Sequence, residues 1–336
     1  MLEENNSKQY KKLQKMLVSS AYHSQKENHD MLDFNPYDQG SGPPRMLRSF
    51  VCYADILGYT SLSEKAIGTG HGGQFLNRLR LALSRAYERI RNHAELYGGR
   101  NLFAIKCFTD NIVVGYPLRN PEFGYGEPEF GHVLQIFAEL QAGLAMEGFF
   151  VRGGIACGDH YMDKDIVFGN ALLDAVKLDK SGGPPRLALH GSALDEVRKQ
   201  LDLFYPSAEH SLHYHELLQD ADGTLFINYL NEAFAVFPEG GVFYDLIEDH
   251  KLTVNHNLEK YRTIPDIRAK YEWAACYHNF VCREFAEMNA ASSAASPDDD
   301  EFCALAEVEA QNAGKKILEY LIDFDSLAAS PCRFFT

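Results

Sequence analysis

Two aspartates occupy positions where they could bind divalent metal ions. Asp55 lies near the end of the short apolar segment 48–56, and Asp110 lies in the two-residue gap between the apolar segments 102–108 and 111–116. If that strand end and that hairpin share one edge of a sheet, the carboxylates could bridge two Mg²⁺ ions roughly 3.5–4 Å apart, as in in-line phosphoryl transfer. Taken alone, either aspartate is also an ordinary residue of a strand end or a turn.

The segments that must position these aspartates alternate in the order β-α-β-β-α-β. Short apolar runs indicate the strands, and apolar residues at steps of three or four indicate two amphipathic helices. Right-handed crossovers turn this order into an α+β, ferredoxin-like sheet with both helices on one face. The predicted strands are 48–56, 102–108, 111–116 and 149–161, and the predicted helices are 72–99 and 128–148.

Three regions are predicted along the chain. Residues 1–46 form an N-terminal arm and linker, with a helix from Lys8 to about Asn28 and a break in the Pro- and Gly-rich stretch that follows. Residues 47–204 form the α+β domain. Residues 205–336 form a mixed, mainly helical extension packed on it.

Composition excludes several classes of function. The chain has 336 residues and a formal net charge of −15, which disfavours binding to nucleic acid or to an anionic membrane. No uncharged apolar run approaches the roughly 18–20 residues of a membrane helix, and the N-terminus has no signal-peptide core. The seven cysteines form no C-x-x-C pair. We interpret Cys52, Cys107 and Cys157 as reduced, buried thiols of a cytoplasmic protein.

Four segments, in order, resemble the motifs of the class III nucleotidyl cyclases, and the similarity covers about residues 50–200. Each motif alone is weakly specific, whereas four in the right order are fairly specific. They are FVCYADILGYTSL (50–62), KCFTDNIVVGY (106–116), VRGGIACGDHY (151–161) and FGNALLDAVKL (168–178).

The resemblance implies a two-metal active site in residues 47–204. Asp55 and Asp110 would bind two Mg²⁺ or Mn²⁺ ions, with the backbone carbonyl of Ile56 as an additional ligand. The ions would hold a nucleoside triphosphate while its ribose 3′ hydroxyl attacks the α-phosphorus and pyrophosphate leaves.

The resemblance also implies residues that bind the substrate. Backbone N–H groups at the start of a helix, at Gly58, Tyr59 and Thr60, would hold the phosphates. Arg152 would approach the triphosphate, and Lys106 matches the lysine that recognises the base in purine cyclases.

Three further positions follow the helix motif of the family. Lys177 matches the transition-state arginine, and Asn170, seven residues earlier, lies on the same helical face. Ile166 matches the acidic residue that reads adenine. Such cyclases assemble head to tail, so a homodimer would combine the metal pair of one subunit with Lys106 and Lys177 of the other.

The sequence departs from the family pattern at several positions. Thr109 replaces a glycine, Leu173 takes the place of the expected asparagine, and Ile166 cannot accept a hydrogen bond from the adenine amine. These departures and segments 184–190 and 260–280 resemble the pyrimidine cyclases of the bacterial Pycsar antiphage system. That similarity implies a cytoplasmic enzyme that converts UTP or CTP to cyclic UMP or cyclic CMP, a signal for a separate effector, with cyclic UMP favoured.

Two alternatives stay open. One is a purine cyclase that makes cyclic AMP or cyclic GMP, against which Ile166 counts. The other is a degenerate cyclase domain that binds a nucleotide and acts as a dimeric sensor. Leu173 and Lys177 favour this second alternative, whereas the pair Asp55 and Asp110 disfavours it.

Overall fold

The computed structural model describes most of the chain after the N-terminal arm. Its described ranges are 35–38, 42–96, 102–119, 124–211, 213–235, 242–291, 301–324 and 331–333, without the side chains of 85–96, 291 and 301–307. The predicted helix from Lys8 to Asn28 lies outside these ranges. Within them, no helix combines the length and the apolar character needed to cross a membrane.

Nine strands form one mixed, mostly antiparallel sheet, and the fold class is α+β. The order is β2-β3-β1-β4-β6-β8-β7-β9, and β5 pairs with β4 outside this path. Among the strands that the structure describes, only β4 and β6 pair in parallel. The strands are β1 (Leu47–Ile56), β2 (Ala104–Phe108), β3 (Asn111–Pro117), β4 (Val151–Met162), β5 (Val167–Gly169), β6 (Leu187–Leu189), β7 (Leu217–Gln219), β8 (Leu225–Ile227) and β9 (Cys332–Arg333).

Ten α-helices occur in the described part of the chain. The sequence pattern located the long ones, but it did not predict the four-residue helices at 213–216 and 232–235. The ten helices are α1 (Tyr59–Gly68), α2 (Gly72–Leu96), α3 (Glu127–Met146), α4 (Asn170–Lys180), α5 (Gly191–Phe204), α6 (His213–Glu216), α7 (Glu232–Ala235), α8 (Tyr244–Lys260), α9 (Pro265–Ala291) and α10 (Glu301–Ile317).

The β-α-β-β-α-β order predicted for the first part of the chain is present. Strands β1 to β4 follow in the spatial order β2-β3-β1-β4, all antiparallel. Helices α2 and α3 pack together against one face of this sheet, where they enclose the main core around Phe50 and Phe137. Helix α4 packs on the opposite face, against β1 and β4.

The second face of the sheet is closed partly by the segment before β1. The ring of Tyr37 is almost completely buried there. Its hydroxyl donates to Ser49 Oγ at 3.0 Å and lies 2.9 Å from His160 Nδ1. This short part of the arm is therefore fixed to the sheet.

The sheet continues beyond residue 204 without a break. Strands β8, β7 and β9 extend it next to β6, and the single tryptophan, Trp273 of α9, packs edge-to-face on Phe226 of β8. The indole N–H donates to Asp220 at 2.6 Å, and the same carboxylate forms a buried ion pair with Arg186. The C-terminal segment thus shares the core of the preceding strands.

One expectation about the cysteines was wrong. Cys52 and Cys157 are buried, as predicted, but Cys107 is exposed because β2 is the edge strand of the sheet. An apolar run of five residues indicates a strand without showing whether a neighbour covers both of its faces.

Candidate active site

Asp55 and Asp110 come together at one edge of the sheet. In the antiparallel pairing of β1 with β3, Asp55 lies opposite Asn111, the residue after Asp110. The backbone N–H of Ile56 donates to the carbonyl of Asp110 at 3.1 Å. The two carboxyl groups interact electrostatically, and burial together with the negative charge of Asp110 raises the pKa of Asp55.

The hairpin between β2 and β3 orients the second aspartate. Thr109 Oγ1 donates to Asp110 Oδ1 at 2.6 Å, and Asn111 Nδ2 donates to the same oxygen at 3.1 Å. The hydroxyl of Tyr53 in turn donates to Asn111 Oδ1. Thr109 has a φ of 53°, a left-handed conformation that a β-branched residue rarely adopts. This backbone conformation explains why a glycine suits the position.

The surroundings of Asp55 disfavour the negatively charged form of its side chain. Burial raises the pKa of Asp55 to about 7, and the negative charges of Asp179 and Asp110 add to this effect. The nearby positive charge of Arg152 acts in the opposite direction. A half-buried cluster of carboxylates is a site where cations would offset repulsion between like charges.

The donor set fits Mg²⁺ or Mn²⁺, because carboxylate and carbonyl oxygens are the ligands that these hard cations prefer. Asp55 and Asp110 supply the carboxylates, and the Ile56 carbonyl adjoins them. Among the residues that the structure describes, no group of three or more His, Cys, Asp or Glu side chains is arranged to hold a metal ion. The remaining coordination positions would fall to backbone, water and substrate oxygens.

Arg152 lies on the strand next to Asp55 and joins it to a third carboxylate. The register of β1 and β4 places Arg152 opposite Asp55, with Nη2 3.6 Å from Oδ2. Its Nε lies 2.8 Å from Oδ1 of Asp179, although the N–H is not aligned on that oxygen, so the contact is an ion pair. The side chain of Arg152 is about one quarter exposed.

Asp179 lies at the end of α4, on the helix face that packs against the sheet. That face is a stripe with a spacing of four residues, Ala171, Ala175 and Asp179, all of them buried. An aspartate that continues a stripe of small buried residues could have been noticed in the sequence. The sequence analysis did not identify it.

The loop after Ile56 leads directly into the N-terminus of α1. Gly58 is the N-cap of α1 with a φ of 73°, and no side chain caps the helix. Tyr59 and Thr60 are the first helical residues. The loop is held from behind by a hydrogen bond from the N–H of Leu57 to the carbonyl of Phe150, 2.8 Å long.

Lys106 lies beside the turn that contains Ile166. Its Nζ donates to the backbone carbonyl of Asp163 at 3.3 Å. The Asp163 carboxylate accepts from the N–H groups of Asp165 and Ile166 at 2.7 and 2.6 Å, which closes the turn between β4 and β5. The side chain of Ile166 is 55% exposed in the single chain.

Asn170 and Lys177 lie on the outer face of α4, away from its buried stripe. Both are exposed, and Lys177 pairs with Asp174 at 2.7 Å. Leu173, between them, is 63% exposed. The structure therefore brings Asp55, Asp110 and Arg152 together, and it does not bring Lys177 to them within one chain.

Two comparisons with known proteins found no match. No protein-family model matches this sequence, and no curated protein matches it significantly.

Proposed function

We propose that the protein is a nucleotidyl cyclase that converts UTP, or CTP, to the 3′,5′-cyclic monophosphate and pyrophosphate. The observation that carries the proposal is the convergence of Asp55 and Asp110 at one sheet edge, directly before an uncapped helix N-terminus. The strand order β2-β3-β1-β4 supports the ferredoxin-like sheet that the resemblance to class III cyclases implies.

Chain residues hold and orient the reactants in this mechanism. Two Mg²⁺ or Mn²⁺ ions, when bound, would supply charge neutralisation of the triphosphate and a lowered pKa of the ribose 3′ hydroxyl. Asp55, Asp110 and the Ile56 carbonyl would bind them. The ribose O3′ forms a bond to the α-phosphorus, and the hydroxyl proton passes to solvent. The bond between the α-phosphorus and the oxygen that bridges it to the β-phosphate breaks, which releases pyrophosphate.

Phosphate groups are bound from two sides. The N–H groups of residues 58–60 point outward at the positive end of α1, which favours an anion. Arg152 is only partly buried and keeps its Nη2 group on the side of Asp55. It would stabilise the charge that develops on the phosphates.

The turn next to Lys106 favours a base that presents a carbonyl rather than an amino group, which among the pyrimidines is uracil. The N–H of Ile166 donates to the Asp163 carboxylate and its carbonyl accepts from the Asp163 N–H, so position 166 offers a base only an apolar side chain. The Lys106 ammonium group donates hydrogen bonds and cannot accept them. It therefore suits the O4 carbonyl of uracil better than the amino group of cytosine or adenine.

A homodimer accounts for the exposed residues of the site. Phe108, Ile166, Phe168 and Leu173 are each at least half exposed, and they lie beside Lys106, Asn170 and Lys177. A head-to-tail second copy would cover these side chains and bring its own Lys177 and Asn170 to the metal pair. The role in antiphage signalling through a separate effector, and the cytoplasmic location, rest on the resemblance alone.

The proposal is tested by incubating the protein with each of the four ribonucleoside triphosphates and Mn²⁺ and identifying the products. We expect cyclic UMP or cyclic CMP. A cyclic purine would support the purine alternative. Nucleotide binding without a product would support the degenerate sensor, which the exposed Leu173 favours.

Two variants test the metal pair, and a third serves as a matched control. Asp55→Ala and Asp110→Ala should each abolish turnover and leave the oligomeric state unchanged. Asp195→Ala, which removes an exposed carboxylate of α5, should leave turnover unchanged. Full activity in either of the first two variants would remove that residue from the site.

A further inference from the structure

The N-terminal part of α9 packs directly behind the candidate site. The ring of Tyr271 contacts Phe150 edge-to-face, with centroids 5.7 Å apart. Ile267 and Leu57 pack against the same apolar cluster. Since Phe150 lies two residues before Arg152 and bonds to the loop after Ile56, this helix is fixed relative to both halves of the site.

Lys270 lies between Ile267 and Tyr271 on this fixed turn of the helix. Its side chain is partly buried and interacts electrostatically with Arg152 and Asp179, as well as with Asp266 on its own helix. Thus a cation from the C-terminal segment acts electrostatically on the ion pair of Arg152 with Asp179, repelling the first and attracting the second. The sequence analysis assigned no role to this residue.

Two carboxylates compete for the guanidinium of Arg152. Asp179 is the nearer partner at 2.8 Å and is the more deeply buried of the two, whereas Asp55 is 3.6 Å away. A carboxylate in such surroundings attracts the guanidinium inward, away from a phosphate. A second cation beside Asp179 offsets part of its charge and leaves Arg152 available on the side of Asp55.

We propose that Lys270 and Asp179 are positioning residues for Arg152, so that the C-terminal helix α9 helps to shape the triphosphate-binding end of the site. Asp179 fixes the Nε edge of the guanidinium, and Lys270 limits how strongly Asp179 retains it. The nature of the ligand rests on the proposed function, whereas the coupling among the three side chains does not.

The test measures binding of inorganic triphosphate in EDTA by titration calorimetry, together with kcat and KM for UTP in Mn²⁺. Lys270→Met should weaken triphosphate binding about tenfold, the equivalent of one charged contact, and raise KM more than it lowers kcat. Lys270→Arg should restore most of the affinity. Arg268→Met removes a cation that pairs with Glu272 on the same helix, and it should bind as the wild type does.

A double variant separates a positioning role from direct contact with the ligand. If Lys270 acts through Asp179, Lys270→Met should have no further effect on triphosphate affinity in an Asp179→Asn background. An equal loss in both backgrounds would overturn the positioning role. A lowered melting temperature with unchanged affinity would also overturn it, as would a wild type that binds no triphosphate.

The proposed function is tested by formation of a cyclic nucleotide, not by binding of triphosphate. A wild type that binds triphosphate with these dependences but forms no cyclic nucleotide would refute the cyclase and support the coupling of Lys270, Asp179 and Arg152.

Discussion

A buried pair of stacked histidines predicts how the stability of the fold depends on pH. The rings of His250 and His278 lie 5.2 Å apart between centroids and are completely buried. The carbonyl of Tyr320 can only accept, so His278 Nε2, 3.0 Å away, carries the proton. His278 Nδ1 then accepts from His250 Nδ1 at 3.1 Å, and His250 Nε2 accepts from the hydroxyl of Tyr229 at 2.8 Å.

This chain of hydrogen bonds is complete only when both rings are neutral. Burial lowers the pKa of His278 to about 4, from 6.5 in an unfolded chain. Below pH 6.5 the unfolded chain therefore binds a proton that the folded one does not, and stability falls as the pH falls. The slope is about 1.4 kcal/mol per pH unit, so His278 alone costs about 2 kcal/mol of unfolding free energy between pH 8 and pH 5.

Other buried groups titrate in the same range, so the effect has to be isolated by comparison. Burial lowers the pKa values of His160 and His213 to about 4, whereas it raises the pKa of Glu216 to about 7, which acts in the opposite direction. In His278→Gln the amide offers one donor and one acceptor but does not titrate. The difference in unfolding free energy between wild type and variant should therefore shrink by about 2 kcal/mol from pH 8 to pH 5.

Urea unfolding between pH 5 and pH 8 measures this difference. His256→Gln, which removes an exposed histidine of α8, should reproduce the pH dependence of the wild type. If plots of unfolding free energy against pH ran parallel for the wild type and His278→Gln, the fold would not be holding the His278 imidazole neutral. That result would refute the ring protonation assigned above.

Three further variants test local features by urea unfolding. Thr109→Asn should stabilise the protein by about 1 kcal/mol, because asparagine tolerates a φ of 53° better than threonine does. A lower urea midpoint for this variant would contradict backbone strain at position 109. Gly153→Ala should lower the free energy of unfolding by about 3 kcal/mol, since the added Cβ would lie 1.9 Å from a carbonyl oxygen of β1. Gly191→Ala, which has open space around it, is the control and should change stability little. Equal effects of the two substitutions would refute the close packing at Gly153. Arg186→Met should lower the free energy of unfolding by about 3–5 kcal/mol, because it leaves the buried Asp220 without its ion-pair partner. It should also shift the fluorescence of Trp273, whose indole N–H donates to Asp220. An unchanged emission spectrum would argue against a carboxylate shared by the two side chains.

The sequence sufficed to predict that Asp55 and Asp110 lie close together, because a strand end and a hairpin have few ways to meet. Once β1 and β3 pair antiparallel, Asp55 has to lie next to the turn that holds Asp110. The spacing of Ala171, Ala175 and Asp179 could have placed Asp179 on the face of α4 that turns to the sheet, but it does not show which residues of the sheet lie opposite. The same limit applies to Cys107, whose exposure depends on β2 being an edge strand.

Lys270 is harder still to infer, because more than a hundred residues separate it from Arg152. Its position depends on how α9 packs on Phe150 and on Phe226 of β8, a strand that extends the same sheet. Arg152 and Lys270, two cations that interact with carboxylates of the candidate site, thus come from both sides of residue 204. A fragment that ends there would lose Lys270 together with the apolar cluster that supports the loop after Ile56. The chemistry proposed for residues 47–204 therefore depends physically on the segment that follows them.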